Sequence, residues 1–252
     1  MTDQKKGKTS NHDFPKLQKF LANLGLCSRR KGEEWILSGS VSVNGETVKL
    51  GCRINPEKDV VKINGKRIQA KFVEGIALMV NKPKDYTCSN QDEHAKNLIF
   101  ELLEAKHRKL RLFCAGRLDV ESQGLVILTN DGNLAHRLTH PSMMIRKKYQ
   151  VEIDPPLKKE HLSIMLSGFQ EGGEFIKLDE VRAKNGNPIG LRKLEVILCH
   201  GKIREIRRVF AFLKYKIVKL RRISIGGLRL GKIPLGQYRE LTNKEIDLLF
   251  PK

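Results

Sequence analysis

Two short apolar runs decide how most of this chain can fold. Ile76-Ala77-Leu78-Met79-Val80 and Leu125-Val126-Ile127-Leu128 are far below the roughly 20 residues of a membrane span. They are also short for a helix, and turn signals bound them: Lys82-Pro83 after the first and Asn130-Asp131-Gly132 after the second. Both read as buried strands. Tyr149-Gln150-Val151-Glu152-Ile153 alternates with period two and reads as a half-buried strand. Further strands are expected at Leu194–Leu198, Lys216–Leu220 and Arg222–Ile225. Helices are expected near Asn97–Ala105, at about Asn133–Thr139 before Pro141, and from about Lys202 to Leu213. Strands and helices mix without βαβ repetition, so the expected class is α+β with a mixed, largely antiparallel central sheet.

The first part of the chain is patterned differently. Residues 1–13 read as a disordered basic tail. Leu17, Phe20, Leu21 and Leu24 form an apolar face at i, i+3, i+4, i+7, and Gly25 is placed to stop that helix. Ser28 can cap a second helix, Arg29–Leu37, ended by Gly39. Val41-Ser42-Val43 then leads to Asn44-Gly45, and Val60–Ile63 leads to Asn64-Gly65, two hairpin signals. The expected division is therefore a small domain over 14–68, a linker over 69–75, and a larger domain over 76–252.

Charge narrows the partner. Lys and Arg number 48 against 28 acidic residues, a net of +20, and such a field draws in polyanions. No basic amphipathic helix or lipidation motif stands out, so nucleic acid is favoured over an anionic membrane. The polar start MTDQKKGKTSNHD has no secretory signal. Five cysteines at wide spacing, without a C-x-x-C pair, argue against a disulfide framework or zinc and fit reduced thiols in the cytoplasm. His136, His140 and His200 lack the company of a metal site or a triad, and read as solvated or core histidines.

From Lys16 to Gly65 the chain resembles the S4 RNA-binding domain, carried by Ser28-Arg29-Arg30, Gly39 and Val41–Gly45. In the second part GRLDVESQGLVILTNDG, KKYQVEI, GKIREIRRVF and IPLGQYRELT follow in order. They resemble the blocks of the rRNA pseudouridine synthases, small-subunit and large-subunit type. Ser122-Gln123-Gly124, Lys216–Leu220 and Ile233–Gly236 look most similar to the F-type 23S rRNA enzymes. The resemblance implies an isomerase that turns a uridine of rRNA, 23S rRNA above all, into pseudouridine after flipping it. It implies no metal and no organic cofactor. A tRNA is the further candidate substrate, and a monomer is the expected state.

The chemistry fits these residue types. The reaction breaks a C–N glycosidic bond and makes a C–C bond, and a carboxylate can serve as nucleophile. The resemblance assigns that role to Asp119; whether it attacks sugar or base is open at this point. A nearby cation favours a charged carboxylate. On the expected helix Ile203, Ile206, Phe210 and Leu213 form an apolar stripe, with Arg207 at its edge and Arg204 and Arg208 further out. Arg207 is thus the expected partner of Asp119, where the resemblance also puts it, and Arg204 and Arg208 suit phosphates. Glu205 stands where the family has Gln, which affects one RNA or structural hydrogen bond.

By resemblance Tyr149 stacks on the flipped base, and Arg117 fills the gap left in the RNA. Lys16, Arg29, Arg30, Lys31 and Asn44 are expected to contact RNA through the S4 segment. The rival reading is a non-catalytic S4 protein in ribosome assembly. The presence of Asp119, Tyr149 and Arg207 in order favours the enzyme.

Overall fold

The computed structural model describes residues 14–69, 74–184 and 186–250. The expected basic tail and most of the expected linker lie outside those residues. The chain divides between Gly75 and Ile76 into two compact units.

In the first unit the sequence signals act as read. α1 (Leu17–Asn23) and α2 (Arg29–Leu37) pack over β1 (Val41–Val43), β2 (Glu46–Thr47), β3 (Val61–Ile63) and β4 (Lys66–Arg67), a sheet of order β2-β1-β3-β4. Leu17, Phe20, Leu21 and Leu24 are all buried, together with Ile36, Val41 and Ile54. The Ser28 hydroxyl accepts the Lys31 amide at 3.1 Å, capping α2. Asn44 and Asn64 sit at φ 53° and 49°, each followed by a positive-φ glycine, the backbone that a tight two-residue hairpin turn requires.

The second unit is built on one large sheet. Its strands and helices, in chain order, are β5 (Ala77–Lys82), α3 (Ala105–Arg108), β6 (Phe113–Cys114), β7 (Gln123–Thr129), α4 (Gly132–Thr139), β8 (Lys147–Asp154), α5 (Lys159–Ser167), β9 (Phe169–Glu171), β10 (Glu174–Ile176), β11 (Glu180–Arg182), β12 (Lys193–Leu198), α6 (Glu205–Phe212), β13 (Lys216–Ile225), β14 (Leu228–Arg229), β15 (Tyr238–Glu240) and α7 (Asn243–Asp247). The sheet runs β11-β12-β8-β13-β7-β5-β15, with β14 beside β13 and β6 beside β7. Only the β13–β7 pair is parallel among these. Both apolar runs are confirmed as strands: every residue of β5 is buried, as are Gly124 to Thr129 of β7. Leu78, Val80, Val126 and Leu128 face one core, shared with β8, β12 and α6; Ala77, Met79, Leu125 and Ile127 face another, with α4.

Three expected elements differ. The helix expected at Asn97–Ala105 is a 3-10 turn at Ile99–Leu102 followed by the short α3. Ile99 and Leu103 are both buried, in a segment that follows the core surface rather than one helical face. The two strands expected at 216–220 and 222–225 are one strand, β13, with irregular register after Ile217 and after Arg222. The helix expected from Lys202 starts at Glu205, because Arg204 has φ 50° and breaks the helical path. Ile203 therefore leaves the apolar stripe and is 74% exposed, while Ile206, Phe210 and Leu213 are buried.

Candidate active site

The sequence between β6 and β7 cannot continue either strand: Gly116 takes φ 91°, and the chain turns through Arg117-Leu118-Asp119. Leu118 is buried and anchors the loop. The Ser122 amide returns to the Asp119 carbonyl at 3.0 Å. Asp119 is left partly exposed on a cavity of about 230 Å³. That is below the roughly 300–1,000 Å³ of pockets for drug-sized ligands.

The loop is held from beneath by a side chain that sequence reading passed over. Lys82, expected only to end its strand, is fully buried. Its ammonium donates to the carbonyls of Pro83 at 2.8 Å, Ser122 at 2.8 Å and Val120 at 3.3 Å. Burial disfavours the charged form and lowers its pKa from 10.5 to about 8, opposed by Cys88, Asp119 and Asp85. Arg222 is the second hidden cation, 2% exposed. Its Nε donates to the Leu125 carbonyl at 2.7 Å and its Nη1 to the Arg117 carbonyl at 3.3 Å, so it ties the start of the loop to β7. A lysine before proline and the second arginine of a pair carry no sequence sign of burial.

From the other side α6 delivers Arg207. Its Nη2 donates to the Ser122 hydroxyl at 3.0 Å. Its buried Nε makes no hydrogen bond and lies between two carboxylates, 3.6 Å from Asp119 and 3.4 Å from Glu121. Glu121 also accepts Arg204 at 2.9 Å. That hydrogen bond is the main reason its pKa is lowered. Tyr149, on β8 opposite Arg222 of β13, is buried and contributes to the cavity wall. Lys147, two residues earlier on the same face, lines the cavity too, with its pKa lowered by burial and then by Arg222.

Asp119, Tyr149, Arg207, Arg117 and Arg204 thus line a single cavity. Arg208 does not: its guanidinium is clamped to Glu171 and Glu174 on the β9–β10 hairpin and donates to the Glu171 carbonyl. These contacts tie α6 to that hairpin. Asn44 also has partners within its own unit: its side-chain amide donates to Asp59 at 2.9 Å and its side-chain oxygen accepts the Val60 amide at 2.9 Å. Lys16, Arg29, Arg30 and Lys31 are exposed on the first unit, Lys31 pairing with Glu34 at 2.8 Å.

Glu205 is buried and takes a structural role. One carboxylate oxygen accepts His200 at 2.9 Å and the Lys202 amide at 3.2 Å, and the other Nε2 face of His200 lies 3.6 Å from Asp179. His200 is therefore bridged between two acids rather than simply solvated. Among the described residues no group of three His, Cys, Asp or Glu side chains could hold a metal ion.

A carboxylate, a tyrosine and an arginine in one cationic cavity match the blocks noted in the sequence. Residues 76–212 match the model of the RNA pseudouridylate synthase family, and residues 16–61 match the S4 domain. The chain belongs to the RNA pseudouridine synthases. It is similar to an uncharacterized RNA pseudouridine synthase of Aquifex aeolicus, 36% identical over 93% of each chain. It is also similar to the dual-specificity RNA pseudouridine synthase RluF of Escherichia coli K12, 34% identical over 93% of this chain and 78% of that one. A crystal structure of a pseudouridylate synthase, 31% identical, superposes with a TM-score of 0.66 over 93% of this chain and 99% of that one. This pseudouridine synthase is therefore an S4 domain followed by a synthase domain with a mixed, mostly antiparallel sheet. The rival reading of a non-catalytic S4 protein has nothing in its favour.

Proposed function

We propose that this synthase converts a uridine of ribosomal RNA, in the large subunit, to pseudouridine with Asp119 as nucleophile. The observation that carries the reading is the Asp119 carboxylate standing 3.6 Å from Arg207 on a cavity that Tyr149 also lines. The cavity accepts one flipped base. Asp119 attacks the nucleotide, the glycosidic C–N bond breaks, and the freed uracil turns to present carbon to the sugar. A C–C bond then forms, the bond to Asp119 breaks to return the carboxylate, and the ring loses the proton from that carbon while the nitrogen freed from the sugar takes one up. No atom is added or lost overall. Arg207 holds the carboxylate in place, and Tyr149 stacks on the uracil. Arg117, exposed beside the nucleophile, fills the space that the flipped base leaves, its planar guanidinium stacking on neighbours.

Arg204 and the exposed Lys16, Arg29, Arg30 and Lys31 serve the phosphates. The large-subunit preference rests on the Ser122-Gln123-Gly124 and Ile233–Gly236 segments. RluF is named as dual in specificity, which makes a tRNA the second substrate to try. The proposed state is a monomer. Among the described residues no helix is long and apolar enough to cross a membrane, and the proposed place of work is the cytoplasm. Mapping pseudouridines in 23S and 16S rRNA from cells with and without the gene tests the reading. Loss of one or more large-subunit sites is expected; an unchanged map overturns it.

A further inference from the structure

The side of the large sheet away from Tyr149 is covered unevenly. Over β5 and β7, α4 packs on Met79, Leu125 and Ile127. The strands beyond carry polar side chains there instead. Side chains alternate along a strand, so β8, which sends Lys147 and Tyr149 to the active cavity, sends Lys148 and Gln150 to the other side. The register sets Lys148 beside Ser224 of β13 and Gln150 beside Arg221, and Ser224 lies opposite Arg229 of β14. Glu195 of β12 and Arg182 of β11 continue the row from Gln150.

Two cavities open on this row and share Lys148 and Ser224, so they form one groove. The first, of about 380 Å³, adds Arg221, Arg229 and Glu195; the second, of about 460 Å³, adds Arg146, Arg182 and Glu180. Five cations thus meet two carboxylates. Glu180 pairs with Arg146 at 2.6 Å and Arg182 at 3.1 Å, and Glu195 with Lys148 at 3.5 Å. Arg221 and Arg229 are left over: among the described residues neither guanidinium has a hydrogen bond or an ion pair, and the Arg221 Nε is shut off from water unbonded.

We propose that this groove is a second RNA site, which holds phosphates of the substrate RNA outside the stem that enters the active cavity. Guanidinium forks match phosphate oxygens. Taking a polar group out of water without a partner is unfavourable, and a phosphate in the groove gives Arg221 and Arg229 theirs. No aromatic side chain lines either cavity, so no base finds a stacking platform there. Contact is therefore with the backbone, and it positions the RNA without reading its sequence. The occupant is also at hand. An RNA held at the active cavity presents its outlying segments to the rest of the same molecule at high effective concentration.

The site rests on rRNA being the substrate, not on Asp119 as nucleophile or on which uridine is modified. The full chain carrying Arg221→Gln with Arg229→Gln, checked for a normal melt, is titrated at several salt concentrations. One ligand is a stem-loop with a target uridine; the other is a long fragment of 23S or 16S rRNA. Affinity for the long fragment should fall roughly 10-fold, the scale of one hydrogen bond to a charged group. Its salt slope should become shallower by about 1.4–1.8, two phosphates' worth. Binding and turnover of the stem-loop should stay at the wild-type level, which keeps this test apart from that of the catalytic assignment. Arg229 is exposed, so Arg229→Gln alone folds normally and should give half the change in slope, and Arg229→Lys should restore it. Hydroxyl-radical footprinting should show a backbone tract outside the stem that the wild type protects and the double variant does not. The proposal is overturned if the long fragment binds the double variant with unchanged affinity and slope, or if both RNAs lose affinity alike. It is also overturned if RNA binding is unchanged while binding of poly-glutamate is lost, which would give the groove to an acidic protein.

Discussion

In the proposed reaction Asp119 is the nucleophile, and its replacement separates catalysis from binding. Asp119→Asn keeps shape and hydrogen bonding but has no nucleophilic carboxylate. Tritium release should be abolished with RNA affinity within a few fold; turnover near the wild-type rate would sink the assignment. Arg207→Met removes a cation shared by Asp119, Glu121 and Ser122. Breaking a fully buried pair costs roughly 3–5 kcal/mol; Arg207 is 17% exposed, so the lower end is expected, divided between rate and melting temperature. A variant that melts and turns over normally would reduce Arg207 to a helix-face arginine. Lys82 brings a pH dependence with two opposite signs. Below about 8 its ammonium supplies all three N–H donors that gather the loop's carbonyls. Above that value the neutral amine has two, so kcat/KM should fall as pH rises through about 8. For stability, the unfolded chain keeps this proton up to about 10.5 while the folded chain has released it, so the contribution of Lys82 to stability rises between those values. A flat rate profile across about pH 8 would remove Lys82 from loop support. Asp119, Tyr149 and Arg207 were legible because their motifs are local. Lys82 and Arg222 were not, because burial of a cation is decided by strands distant in sequence.

At the scale of elements, the site depends on where β7 and β13 run together. Gly124 has φ 107°, and a Cβ there would stand 2.2 Å from the Arg222 carbonyl oxygen. Gly124→Ala would therefore strain the backbone by about 1–3 kcal/mol and overpack the crossing by a further 1–3 kcal/mol or so. A drop of about 2–4 °C per kcal/mol is usual at this size, so calorimetry should show a melt lowered by roughly 5–15 °C. A shift under about 2 °C would mean that β13 gives way freely. This crossing also shows what pattern reading reaches. The apolar runs declared β5 and β7 plainly, and period two declared β8. β13 was divided in two because its bulges interrupt the alternation, an effect of pairing with β8. Ile203 was assigned to α6 because periodicity has no term for the left-handed Arg204 that starts the helix late. The β9–β10 hairpin has no such signal: its strands are short and largely exposed, and it is fixed by the Arg208 clamp rather than by a pattern of its own.

At the scale of the whole molecule, charge and division into units give one prediction together. The chain's excess of +20 is shared between two units, each with its own apolar core. That division was visible in the change from amphipathic helices and hairpins to buried strands. The first unit presents Lys16, Arg29, Arg30 and Lys31 at its surface, and the second surrounds its cavity with Arg117, Lys147, Lys202 and Arg204. Each phosphate neutralised by a cation adds about 0.7–0.9 to the slope of log affinity against log salt. Deleting residues 1–75 removes one set of cations and leaves the other, together with the cores of the second unit. The truncated protein should keep a cooperative melt and bind an rRNA stem-loop more weakly. Its salt dependence should be shallower by about 2–4, since three or four phosphate contacts are lost. Binding should not vanish, because the cavity's own cations remain, and turnover of saturating RNA should persist. Affinity titrations at several salt concentrations decide the matter. An unchanged slope with unchanged affinity would show that the S4 unit does not engage this RNA through those four cations. A lower affinity at an unchanged slope would instead mean that it reads the RNA through uncharged contacts.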